Sequence, residues 1–332
     1  MPRTYQMDRR QLTLAALSGA LLSTLSFGVA AQSFPSKPVR LIVPFPPGGA
    51  VDVYARIIQV PLATELGQPV IVENRAGASG MIGADFVAKS PPDGYVLLVG
   101  NVATLAMNSA IYSKMAYDPI KDLTPIFHTV QVNYVLVVHP SVPVRTTAEL
   151  ISYAKKNPEK LAYGSSGAGS AQHMAAELFK GQTNTSMVHA PYKGTGALVN
   201  DLLAGHVQLA FADMASMMPQ VKAGRLRALG VGGLKRSDEY PELPTISESA
   251  QLPGYEAVAW QGLAGPAGLP PQITRRFNEA LARVHASPSL KEKLATAGLT
   301  SVGSTPEGFG QYIRAEVVKW TKVARDNGIS AE

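Results

Sequence analysis

Val39-Arg-Leu-Ile-Val-Pro-Phe-Pro-Pro-Gly-Gly-Ala-Val-Asp52 carries the pattern on which the fold turns. A β-branched run of strand type, residues 39–43, gives way to a Pro- and Gly-rich turn. A helical stretch follows that places Val53, Ile57 and Leu62 on one face and stops at Gly67. The order then repeats. Residues 70–73 read as a strand, 74–80 as a Gly-rich loop, 81–89 as a helix and 95–99 as a strand running into Gly100-Asn-Val-Ala-Thr104. Strand, glycine loop and helix in succession predict a mostly parallel α/β sheet flanked by helices.

The same grammar restarts downstream. Residues 135–138, 161–163, 187–189, 207–211 and 226–231 read as strands, alternating with helices at 147–156, 171–180 and 197–203. This block predicts a second α/β domain. Residues 240–253 are Pro-rich and irregular, 255–263 read as extended, and 271–286 and 307–327 as amphipathic helices expected to pack on the first domain. The chain then crosses between domains twice, giving two lobes, a cleft and a hinge near residues 136 and 255. The expected division is 32–136 with 255–332 in lobe 1, and 137–254 in lobe 2.

Composition narrows the chemistry. Of 332 residues 46% are hydrophobic and 16% charged, enough for a large core, and none is Cys. That excludes disulfides, thiolate metal sites, iron–sulfur clusters and every Cys nucleophile. Residues 1–31 read as a signal peptide: Arg3, Arg9 and Arg10, an apolar run from Leu12 to Ala30, then small residues before Gln32. Arg9-Arg10 also suits twin-arginine export. Without this segment 27 basic and 23 acidic residues remain, so the formal charge falls from +6 to +4. The basic residues are scattered, which argues against nucleic-acid binding. The mature product is expected to be soluble and periplasmic.

Three loops, 44–50, 74–80 and 164–170, put small residues after a strand and before a helix. The first amides of a helix lack intrahelical partners and lie at the positive end of its dipole. Such loops therefore bind an anion without a basic side chain. Gly48, Gly49, Gly167 and Gly169 would admit a ligand to the main chain, or merely form tight turns. Dinucleotide and Walker A motifs and the G-x-S-x-G elbow are absent. Ser152-Tyr-Ala-Lys155 matches S-x-x-K in the middle of a helix, without the partner motifs. The six His show no metal-ligand spacing. His173 stands in the first helical turn after Ser170, placed to donate to a carboxylate or to cap the helix. Asp213 follows the strand 207–211, placed to meet a ligand or to cap.

Pro44-Phe-Pro-Pro-Gly-Gly-Ala-Val-Asp52, Val72-Glu-Asn-Arg-Ala-Gly-Ala-Ser-Gly80, Tyr163-Gly-Ser-Ser-Gly-Ala-Gly-Ser170 with His173, and Pro191-Tyr-Lys-Gly-Thr-Gly196 together resemble the tripartite tricarboxylate transporter receptors, or Bug receptors. The resemblance runs over essentially the whole mature chain. It implies a two-lobed periplasmic binding protein of type II that closes on a small carboxylate and delivers it to a permease of one large and one small membrane subunit. It implies no catalysis, no cofactor, no metal and a monomer. Carried over residue by residue, lobe 1 would offer Phe45, Pro47, Gly48, Gly49, Asp52, Ser79, Gly80, Asn101 and Thr104. Lobe 2 would offer Ser165, Gly167, Ala168, Ser170, His173, Tyr192, Thr195 and Asp213. Two rival readings stand beside this one: an extracytoplasmic hydrolase using a serine of 164–170 with His173 as base, and a ligand-sensing adaptor for a signalling partner.

Overall fold

A computed structural model of the chain describes residues 34–331. The signal-peptide reading of residues 1–31 falls outside them. Strand β1 (Val39–Val43) pairs in parallel with β2 (Val70–Asn74) on one side and β3 (Val96–Asn101) on the other. The opening stretch is therefore the central strand of a parallel group, followed by helix α1 (Ala50–Leu66). Leu62 faces inward as expected, but the rest of the buried stripe of α1 is one position away from the expected one: Tyr54 and Ile58 face inward, while Val53 and Ile57 are half-buried. Apolar residues fill two adjacent stripes here, and spacing alone does not choose between them.

Helix α2 (Met81–Ala88) connects β2 to β3, and past β3 comes α3 (Asn108–Ile111), which follows a wide helical turn over 103–107. Strand β4 (Leu123–Val138) is 16 residues long, of which the sequence revealed only the last four. Its register shifts between Pro125 and Phe127 and again between His128 and Val130, which scrambles the alternation a regular strand displays. Residues 123–133 pair with β9 (Val258–Pro266), and residues 134–138 with β7 (Leu209–Asp213) and β8 (Arg227–Val231).

One strand thus serves both lobes. β5 (Ala162–Ser165) runs parallel to β7 and to β6 (Val188–Pro191), so the second lobe also has a parallel group. Each lobe is parallel in its outer strands only. β9 lies antiparallel to β3 and β4, and β4 antiparallel to β7, because one strand leaves the first lobe and the other returns. On β4, Val135 and Val137 enter one apolar cluster and Leu136 and Val138 another, so both faces are covered.

The remaining helices are α4 (Thr147–Lys156), α5 (Ala171–Thr183), α6 (Thr195–Leu203), α7 (Met214–Lys222), α8 (Ile246–Ala250), α9 (Pro271–Ala286), α10 (Pro288–Thr296) and α11 (Pro306–Asp326). α9 packs on α1 and β4 as expected. α11 packs on β4 and α3 but also reaches α5, so it does not belong to the first lobe alone. Its Glu316, 3% exposed, accepts the indole N–H of Trp260 from β9 at 2.7 Å and that of Trp320 at 2.8 Å on the same oxygen, Oε2. Among the described residues no helix is long and apolar enough to cross a membrane.

Candidate functional site

A cavity of about 560 Å³ opens where the C-terminal ends of the parallel strands face one another across β4 and β9. This is the position at which open α/β sheets bind ligands. Phe45 follows β1, Ser79 follows β2 and Asn101 ends β3. Gly167, Ala168 and Ser170 follow β5, Thr195 opens α6 and Asp213 ends β7. These eight expected residues line one cavity.

Two helix starts supply the polar surface. α1 begins after Gly49, which has no side chain to cap it, and Ala50 and Val51 line the cavity. α5 begins after Ser170, whose Oγ accepts the His173 amide at 3.3 Å. The first two amides of this helix, on Ala171 and Gln172, have no intrahelical acceptor, and both residues line the same space. Among the described residues lining the cavity there is no Lys, Arg or His, and Asp213 carries the one formal charge. The Asp213 carboxylate accepts Ser216 N–H at 2.9 Å, so it caps α7 and lines the cavity at once. Ala78 and Ser79 hold left-handed φ values of +47° and +53° without being glycine. Such strain is retained where the surrounding structure fixes it. Here Ser79 Oγ pairs with the Tyr112 hydroxyl at 2.8 Å, and Asn108 donates to Ser79 O at 3.0 Å.

The other expected residues lie behind or beside this wall. Pro47, Gly48 and Gly49 are exposed at its rim. Gly80 is buried between Phe45 and Thr104, and Thr104 Oγ1 accepts Asn101 N–H at 3.0 Å. Asp52, 2% exposed, organises the first loop. Its Oδ2 accepts Gly48 N–H at 2.9 Å and Arg56 Nε–H at 2.8 Å, and its Oδ1 accepts Asn74 Nδ2–H at 2.9 Å. Asn74 also donates to Phe45 O at 3.0 Å. The Arg56 bond foremost, with Gly48 and Asn74 against the cost of burial, holds the Asp52 carboxyl down at about 2. Tyr192 turns away from the cavity to donate to Asp201 at 2.8 Å, and burial first, then Asp201, pushes its phenol up to about 12.

Ser165 and His173 are also behind the wall. Ser165 is fully buried and its Oγ lies 2.7 Å from Nε2 of His189, not of His173. His173 Nδ1 accepts Gly169 N–H at 3.0 Å. Among the serines of 164–170, Ser165 is the one whose hydroxyl meets a histidine ring, that of His189 rather than His173, and it donates to Gly167 O at 3.0 Å without reaching the cavity. Sequence reasoning missed Gln172, Tyr112, Tyr134, Trp260, Gln261 and 297–299. Gln172 was within reach, as a polar side chain one residue into α5. It accepts Ser166 N–H at 2.8 Å and donates to Thr195 Oγ1 at 3.0 Å, tying the two second-lobe loops together. Tyr112 directly follows α3, and the others come from β4, β9 and the turn after α10, segments without any local motif.

The sequence profile of the tripartite tricarboxylate transporter family receptor matches residues 54–329. Protein BugT of Bordetella pertussis is 36% identical over 322 residues, covering 95% of this chain and 97% of its own length. The solved structure of R. palustris Rpa4515 with adipate is 38% identical with a TM-score of 0.75, covering 90% of this chain and 99% of that one. MatC from Rhodopseudomonas palustris with bound malate is 30% identical with a TM-score of 0.71, over 87% and 99% of the two chains. The two-lobed fold, the strand-end cavity and these similarities converge: the chain belongs to the tripartite tricarboxylate transporter receptors, the Bug family of solute-binding proteins.

Proposed function

We propose that this protein is a periplasmic receptor that binds a small organic carboxylate between its lobes without transforming it. The observation that carries this reading is the pair of open helix starts, α1 from one lobe and α5 from the other, lining one cavity that has hydroxyls but no basic side chain. Amides at helix starts hold a carboxylate by hydrogen bonds and by the dipole, and they release it more readily than a buried ion pair would. The adipate and malate held by the two related structures are of this chemical class. Residues 1–31 act as the export signal, and the lobes divide at 136/137 and 254/255. The closed form hands its ligand to a permease of one large and one small subunit.

Isothermal titration calorimetry on protein exported from the full-length gene, against adipate, malate, citrate, benzoate and neutral sugars, tests the reading. Saturable one-to-one binding of at least one acid is expected. Binding of sugars alone would overturn it. Ester hydrolysis that vanishes in Ser165→Ala would favour the hydrolase instead.

Gly167 has φ +137°, with Tyr192 O 3.5 Å from where a Cβ would stand. An added methyl meets no hard clash but forces this backbone out of a conformation that L residues rarely adopt. Gly167→Ala is expected to weaken carboxylate binding about three- to tenfold, the equivalent of roughly 0.7–1.4 kcal/mol. Unchanged affinity would show that this glycine only forms a turn.

A further inference from the structure

Behind the second-lobe wall two histidines lie face to face. The rings of His173 on α5 and His189 on β6 are 3.9 Å apart between centroids, with planes 7° apart, and Tyr163 of β5 stacks on His189 at 4.9 Å. Their hydrogen bonds fix where the protons sit. Gly169 N–H donates to His173 Nδ1, so that nitrogen keeps its lone pair and the ring's proton is on Nε2, 3.9 Å from Glu177 Oε1. Ser165 Oγ gives its one proton to Gly167 O and accepts Gly167 N–H at 3.2 Å, so at 2.7 Å His189 Nε2–H is the donor to it. Both neutral rings are therefore tied to the backbone of 165–169, the loop whose Gly167 and Ala168 face the cavity.

We propose that His173 is a positioning residue: it touches no ligand, and its neutral ring holds the 167–170 loop in carboxylate-receiving shape through Gly169 N–H, so that a proton taken up at Nδ1 frees the loop and weakens binding. The inference rests on the carboxylate-receptor reading above. A proton on Nδ1 points straight at the Gly169 N–H, two donors without an acceptor, and the bond must break. His189 differs, because its free nitrogen is Nδ1 and protonation there leaves the Ser165 bond intact.

The surroundings favour the neutral pair. Tyr163 donates to Glu177 Oε1, and Lys180 donates to the same oxygen at 2.6 Å, which spends the nearest carboxylate on other partners. Burial foremost holds His173 below the ordinary histidine range, with Glu177 opposing and Lys180 assisting. Burial and then His173 bring His189 down to about 4. β9 adds no ionisable residue, and neither β7 nor α11, which also pack on α5, adds a charge that acts on either ring.

Two substitutions separate the acceptor from the stack. His173→Phe keeps a ring on His189 but removes the acceptor. His173→Asn places Oδ1 near the lost Nδ1 and cannot titrate. With adipate as the probe at pH 7.5, His173→Phe is expected to bind at least tenfold more weakly, and His173→Asn to recover to within about threefold of the parent. The ratio of parent to Asn affinities is expected to be flat above pH 7. It then falls by up to about tenfold per pH unit below the titration of the ring, as one linked proton requires. Protonation of adipate itself cancels in that ratio.

Parent-like binding by His173→Phe, Asn as weak as Phe, or a ratio that stays flat through the titration of the His173 ring, as followed by ¹⁵N NMR, would each overturn the proposal. Failure of the parent to bind any acid would instead overturn the receptor reading. Should the variants not fold, ¹⁵N NMR of the parent decides. An Nδ1 shift of acceptor type at pH 7.5, moving together with the Gly169 amide on acidification, is expected; a protonated Nδ1 at pH 7.5 refutes the assignment.

Discussion

Replacing Glu316 with Leu is expected to cost about 3–5 kcal/mol of stability, the range for removing one partner of a buried charged network. The carboxylate is 3% exposed and one oxygen holds the indole N–H groups of Trp260 and Trp320, while the other is bonded to Lys319. Leu leaves two buried indole donors unpaired, each costing about 1–3 kcal/mol, and Leu fills part of the space without answering either. For a chain of this size the melting temperature should fall by roughly 5–8 °C. Trp260 also lines the cavity, so the same change should weaken ligand binding. Glu316→Gln keeps one acceptor for the indoles and should lose less than half as much. Differential scanning calorimetry of both variants checks this, and a Leu variant within 1 kcal/mol of the parent would refute the account.

The second large effect centres on Asp52→Ala. This carboxylate holds Gly48, Asn74 and Arg56, and through Asn74 it holds Phe45, so the whole first-lobe loop is arranged around it. Its removal should lower carboxylate affinity more than tenfold while leaving the fold intact. It also has a pH signature. The folded-state value of about 2 lies below the ordinary 3.8, so the stabilisation is fully present above pH 3.8 and disappears as pH falls toward 2. The side chain is buried but Arg56 is half exposed, so the contribution is discounted to about 1–2 kcal/mol. Acid titration of stability in the parent and in Asp52→Asn should converge near pH 2. Parallel curves over that interval would contradict the assignment.

What the sequence disclosed was local. Residues 39–52, 70–81 and 162–173 each complete a strand, turn and helix start within about fourteen residues, so the order of elements there can be read locally. The sixteen residues of β4 were obscured by two register shifts and Pro125, and the antiparallel return of β9 has no counterpart in any short motif. At the site, motif residues divided into those on the wall, such as Ser79 and Thr195, and those behind it, such as Asp52 and Ser165. Spacing does not tell a side chain that meets the cavity from one that supports the loop, because both serve the same backbone. The His173–His189 stack joins α5 to β6, and only the folded chain puts those rings 3.9 Å apart.

The pairing of β3 with β9 has a consequence for synthesis. Leu98 finds its neighbour in Ala264, so the centre of the first lobe's sheet is missing until about four-fifths of the 332 residues have been made. A nascent polypeptide stopped at Ala257 would hold β1, β2 and β3 but lack the strand that joins them to β4. Contacts this distant in sequence are slow to form, and their lateness keeps the growing chain from closing early.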